Sequence, residues 1–347
     1  MPGCARKEIV RQGQPGIFHC WSRCVRRAFL LGTDPLTGID HNHRRQWVLD
    51  RLELLSASFA IDVGFHSVMS NHLHLVLRTT PRLVDRMGNQ EVARRWLRVF
   101  PGRRVLDGNW IEPTKQQIEI LAQDKDKIAV IRRRLSSVSW FMSALCENIA
   151  RRSNVEDGCT GRFFEGRFAC REVSCEEALL IAGIYVDLNQ IRAGEASCPE
   201  DSSRCSVWLR ISARAQIPDA ATLELDGWLA PLSLQADQLG DVPSTNGRRA
   251  SDKGLLSMSL EEYLNLLDWA GREVQGDKRG AIPAHLAPIL ERLGLTSDEF
   301  VETVKDFPRR FRRFAGRAGQ FRARAQEVGR RWLHGVRHAA RVFHKSC

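Results

Sequence analysis

The chain has 347 residues, of which 43% are hydrophobic and 27% charged, a balance that excludes a mainly disordered polymer and, at this length, points to two domains or one domain with appendages. No apolar run approaches the roughly 20 residues of a membrane span, and the N-terminus, with Arg6, Lys7, Glu8 and Arg11 and no apolar stretch, is not a secretory signal, so a soluble cytoplasmic protein without a membrane partner is expected. The net charge of +11 is uneven: residues 301–347 hold 13 Lys/Arg against 3 Asp/Glu, and the first 300 are nearly neutral, which points the C-terminal tail toward a polyanion such as nucleic acid.

Residues 16–31 carry β-favouring Ile17, Phe18 and Val25 and read as a strand or hairpin. In residues 44–59, Val48, Leu52, Leu55 and Phe59 recur on one helical face. Two strands follow, over 60–69 and 73–77, joined by the turn-prone Ser70-Asn71. Residues 82–127 are broken by Pro101-Gly102, Asp107-Gly108 and Pro113 and read as a helix-containing insertion. Residues 128–154 look helical, with Leu135, Val138, Phe141, Met142 and Leu145 inward. A strand over 161–173 and an Ala/Leu/Ile-rich helix over 175–190 come next, with Gly194 as a left-handed cap. This order implies an α+β fold, with helices on an antiparallel sheet.

Residues 196–253, with scattered Pro, Asp, Ser and Gly, read as a linker or irregular segment, and residues 254–347 as a helical region with a basic tail. Capping boxes stand at Ser259/Glu262 and Thr296/Glu299. In the tail, Phe307, Phe311 and Phe314 would form one apolar face if helical, flanked by Arg309, Arg310, Arg312 and Arg313. That pattern suits docking with phosphate contact, or a solvated arm. The ten cysteines contain no CxxC pair and read as reduced thiols.

Two features carry chemistry. His72 and His74, two apart on a strand, share a face while Leu73 and Leu75 point the other way. Neutral imidazoles suit a divalent metal, although two histidines alone also suit a hydrogen-bonded strand pair. Tyr185 and Asn189, four apart on a helix, share a face. They offer a phenol nucleophile and an amide oxygen, or a half-buried structural tyrosine.

Met69-Ser70-Asn71-His72-Leu73-His74-Leu75 resembles the histidine-hydrophobe-histidine (HUH) motif of single-tyrosine transposases. Tyr185-Val186-Asp187-Leu188-Asn189-Gln190-Ile191-Arg192-Ala193-Gly194 resembles the nucleophile helix of the REP-associated tyrosine transposase branch. Gly161-Arg162-Phe163-Phe164-Glu165-Gly166-Arg167-Phe168 and Ile17-Phe18-His19-Cys20-Trp21-Ser22-Arg23 are similar to the family's preceding and first strands. The resemblance runs over residues 14–195. It implies a ferredoxin-like sheet with helices on one face, and a DNA transposase that cleaves and rejoins single-stranded DNA, often beside a hairpin. His72, His74 and Asn189 would hold Mg²⁺ or Mn²⁺, and Tyr185 would form a 5′-phosphotyrosine. A domesticated hairpin-binding relative without turnover is the alternative. Gln190 and Ser70 stand where the family commonly has Pro. Arg78, Arg162, Arg167 and Arg192 join the four tail arginines as candidate DNA contacts; monomer and homodimer are equally open.

Overall fold

The computed structural model describes residues 8–101, 112–216, 226–234, 243–275 and 287–343; Asp107-Gly108 of the expected insertion lies outside them. The order is β1 (Gly16–Arg23), α1 (His43–Ser58), β2 (Ile61–Val68), β3 (His72–Thr79), α2 (Pro81–Arg86), α3 (Asn89–Val99), α4 (Lys115–Gln123), α5 (Lys125–Leu135), α6 (Val138–Glu156) and β4 (Ala169–Val173). Then come α7 (Glu176–Asp187), α8 (Asn189–Arg192), α9 (Ser206–Gln216), α10 (Leu260–Gln275), α11 (Ala287–Arg292), α12 (Ser297–Arg310), β5 (Phe314–Ala315), α13 (Ala318–Glu327) and α14 (Val336–Val342).

The fold is α+β around one sheet in the order β2-β3-β1-β4-β5. The first four strands pair antiparallel, which is the ferredoxin-like order, and β5 adds a parallel edge beside β4. Strand alternation divides the core. Phe18, Cys20, Leu73, Leu75 and Leu77 face α1 and α6, where Val48, Leu52, Leu55, Phe141, Met142 and Leu145 are buried. Val76 and Phe65 face α7 and the C-terminal helices. Helices therefore cover both faces. The expected one-sided arrangement describes α1 and α6 against the first four strands, and α7 with the later helices closes the other side.

The expected helix over 128–154 divides at Ser136-Ser137, where Ser137 takes extended φ/ψ, into α5 and α6. The expected strand over 161–173 is regular only from Ala169. Upstream, Gly161 has φ +118° and a single bridge joins Phe164 to Cys24.

Gly183 sets how α7 lies on the sheet. A Cβ there would sit 2.7 Å from the Phe65 ring, closer than real Cβ atoms approach. The missing side chain brings the helix down onto β2 two residues before Tyr185. After α8 the chain turns at Gly194 (φ +71°), and Glu195 N–H donates to Gln190 O at 2.8 Å, a glycine helix stop of the expected kind.

The 196–253 stretch is not a loose tether in its described residues. Arg210, fully buried, donates to Asp226 at 2.6 Å and to the carbonyls of Gly64 and Ala230. Asp62 of β2 accepts from the Ser251 backbone and hydroxyl. Such buried charges persist only when paired, and pairing fastens this stretch to β2. Its composition resembles a linker because those polar residues are spent on internal bonds. The expected Ser259/Glu262 capping box forms in both directions, while Thr296 caps α12 by accepting from Glu299 N–H and gives its hydroxyl, not its backbone N–H, to the Glu299 carboxylate.

The tail is likewise part of the body. Phe307, Phe311 and Phe314 are all buried, but α12 ends at Arg310 and Phe314 lies on β5. Among the described residues, the eight cysteines are reduced and form no disulfide. Among the described residues no helix is long and apolar enough to cross a membrane.

Candidate active site

The antiparallel register puts Trp21 opposite His74, Arg23 opposite His72, and His19 opposite both Val76 and Arg171. His19, Trp21, His72, His74 and Arg171 thus share the sheet face that α7 covers. The His72 and His74 rings are 5.0 Å apart and perpendicular. His74 Nδ1 lies 2.9 Å from His19 Nε2. His72 Nδ1–H donates to Asn71 Oδ1 at 2.6 Å.

Tyr185 meets this group from α7. Its ring lies 5.6 Å from that of His74 and 5.8 Å from that of His19, edge-on to both. The expected single helix is divided: α7 stops at Asp187, and Asn189 opens α8. Leu188, with φ −81° and ψ −1°, keeps the two turns nearly in line. Asp187 holds this junction from the far side, accepting from Ser206 Oγ, from Val207 N at 3.1 Å and from Tyr263 OH at 2.7 Å. Tyr263 is buried and anchors that carboxylate. Gln190 and Ser70 are bonded in place. Gln190 Nε2 donates to Val68 O at 3.2 Å, and Ser70 donates through its backbone N–H and hydroxyl to Glu195 Oε1.

Burial sets the electrostatics. It pushes His72 down to about 4, with Arg23 adding to the effect. His74 falls well below the usual imidazole range through burial first and then the neighbouring His19 and His72. Burial, then Arg171, does the same to His19. All three are neutral imidazoles at neutral pH, the form that ligates metal.

The donor set fits a divalent ion. His72 keeps its Nε2 lone pair because Nδ1 carries the proton given to Asn71. His74 does the same in the tautomer that donates Nδ1–H to His19. Asn189 is buried, and its Nδ2 has no hydrogen-bond partner. Among the described residues no three His, Cys, Asp or Glu side chains gather as a metal site; the resemblance would add the Asn189 amide oxygen to the two imidazoles.

Sequence reasoning gave no role to His19, Arg171 or Phe307 at this site. His19 had a legible signal, since it alternates with Ile17 and Trp21 on the first strand. Arg171 is buried, stacks on Trp21 and Phe307 at 4.8 Å each, and donates to the carbonyls of Phe307, at 3.1 Å, and Phe311. Phe307 arrives from α12, with its ring 5.7 Å from Tyr185 and 5.9 Å from His19. Tyr185 is consequently only 8% exposed.

The candidate DNA arginines separate into groups. Arg78 is engaged inside the fold: it is buried, pairs with Asp62 at 2.8 Å and donates to the Gly254 and Lys253 carbonyls. It lies beneath the 243–256 stretch, which sequence alone could not bring to β3. Arg192 is also engaged, donating to Lys305 O at 2.8 Å with its guanidinium 5.0 Å from the Tyr185 ring centre. Arg162 and Arg167 are exposed, while Phe163, Phe164 and Phe168 are buried. Arg309 and Arg312 are exposed; Arg310 is partly buried beside Glu302 and Asp306, and Arg313 beside Glu8. No protein-family model, curated protein or solved structure matches the chain.

Proposed function

We propose that the chain is an HUH single-tyrosine DNA transposase, cleaving and rejoining single-stranded DNA through Tyr185. The observation that carries this reading is the meeting of Tyr185 with His74 and His19 on one sheet face, beside His72. His72, His74 and Asn189 would hold Mg²⁺ or Mn²⁺, which when bound polarises the scissile phosphate. Tyr185 Oη attacks phosphorus in line. The P–O3′ bond breaks, the phenol proton is lost and the 3′ oxygen leaves as a hydroxyl, giving a 5′-phosphotyrosine. Attack by another 3′-OH reverses the step and joins strands. The diester energy is retained in the protein–DNA bond, so no nucleotide triphosphate is consumed.

The burial of Tyr185 under Phe307 favours the second reading, a DNA-hairpin-binding protein of the same fold without turnover. One experiment separates them. The chain is incubated with a labelled single-stranded hairpin oligonucleotide and Mn²⁺, then run on a denaturing gel. A covalent adduct that disappears in Tyr185→Phe supports the transposase. Hairpin binding without any adduct supports the binder, and cleavage that persists in Tyr185→Phe removes Tyr185 as nucleophile.

A further inference from the structure

A cavity of about 610 Å³ opens between the C-terminal end of α12 and the turn entering α14. Its volume falls within the roughly 300–1,000 Å³ typical of ligand sites. Arg309, Arg310, Arg337, Trp332, His334 and His338 line it, and none of the lining residues is acidic. Trp332 is 67% exposed, an unusual state for so large an apolar surface. The Arg309 side chain is 85% exposed, with Asp306 at 3.8 Å. Arg337 and His334 are exposed as well. An indole standing among cations is the chemistry that holds an unpaired base between phosphates: the ring stacks on the base and the guanidiniums take the backbone. A duplex keeps its bases stacked on one another and offers nothing to Trp332.

The cavity and the candidate active site share α12. Phe307 turns toward Tyr185, and Arg309, two residues on and about 200° further round the helix, turns away into the cavity. We infer that this cavity binds single-stranded DNA, with one base stacked on Trp332 and the flanking phosphates on Arg309 and Arg337. The inference rests on the DNA-cleaving reading and extends it: the strand next to the scissile phosphate passes along α12 into a site outside residues 14–195.

The test uses the full chain carrying Tyr185→Phe, so that no turnover intervenes, and a fluorescein-labelled single-stranded 20-mer followed by anisotropy between 50 and 200 mM salt. Trp332→Ala should weaken binding about tenfold, and Trp332→Phe, which keeps a stacking ring, by about threefold or less. The double variant Arg309→Gln/Arg337→Gln should lower the log–log salt slope by about 1.4, at about 0.7 per lost phosphate. Circular dichroism should match the parent in each case, since these side chains are exposed. Affinities within twofold of the parent for both Trp332→Ala and the double variant would overturn the inference. So would a matched duplex binding as tightly as the single strand, with the same dependence on Trp332. The Tyr185 adduct assay runs alongside. An adduct with no Trp332 effect sinks the cavity and leaves the transposase standing, whereas a Trp332 effect with no adduct does the reverse.

Discussion

Phe307→Ala tests whether α12 is clamped onto the candidate active site. The ring is fully buried. It meets His19 at 5.9 Å, Tyr185 at 5.7 Å, Phe311 at 5.7 Å and the Arg171 guanidinium at 4.8 Å. Truncation to Ala in such a place removes the transfer free energy of a phenyl group and leaves a cavity, costing about 3–5 kcal/mol. Its neighbours cannot easily collapse into the gap: His19 is bonded to His74, and Arg171 is tied to backbone carbonyls. The upper part of the range is therefore expected. Phe307→Leu, which keeps most of the volume, should cost about 1–2 kcal/mol. Urea unfolding followed by tryptophan fluorescence reads both. With a slope near 3 kcal/mol per molar, the Ala midpoint should fall by about 1.3–1.7 M. The same variant should make Tyr185 more accessible to nitration by tetranitromethane, read by mass spectrometry. A loss below about 1 kcal/mol with unchanged nitration would refute the packing of α12 over the tyrosine.

Three further outcomes follow from other contacts. His19→Phe removes the partner of His74 Nδ1, and Mn²⁺ affinity measured by calorimetry should drop about 10–100-fold, with His19→Gln recovering part of it; equal Mn²⁺ binding in all three proteins would dismiss His19 as a positioning residue. His66 is buried against Trp228, and burial with help from Arg210 pushes it down to about 3. Because its folded-state value lies below the unfolded value near 6.5, the unfolded chain binds the extra proton, and stability is lost as pH falls from about 6.5 toward 3, at about 1.4 kcal/mol per pH unit from this group. His66→Phe should flatten the pH 6–4 stability profile by that amount, and a slope equal to the parent's would contradict the assignment. Arg78→Met leaves Asp62 buried without its cation and should cost about 3–5 kcal/mol, while the folded protein keeps its affinity for single-stranded DNA within twofold; a selective loss of DNA binding at unchanged stability would restore Arg78 as a phosphate contact.

The local signals in the sequence were the ones that translate directly into geometry. Period-two alternation put His72 and His74 on one face with Leu73 and Leu75 opposite. Helical spacing found the inward side of α1, and Gly194 marked its turn. What escaped depends on partners far away along the chain. His19 gains meaning only when β1 and β3 pair, and Phe307 only when α12 lies over α7. Arg78, Asp62 and Ser251 look like ordinary polar residues until the 243–256 stretch crosses β2. The docking of the basic tail was illegible for a related reason. Its arginines are conspicuous in a charge count, yet the buried phenylalanines between them decide where the segment goes, and Arg171 answers them from the sheet.

The parallel edge strand bears on how this chain is made. Ser174 at the end of β4 donates from its backbone to Ala315, 141 positions away. At about 5–20 residues per second, a ribosome needs roughly 7–30 s to cover that interval. Throughout it, β4 presents bare backbone donors and acceptors of the kind that recruit strands from other molecules. Pairings this distant in sequence are also slow to form once both partners exist. Nascent chains should therefore depend on chaperone cover late in synthesis, and the yield of soluble protein should respond more to elongation rate over residues 174–314 than over the first hundred.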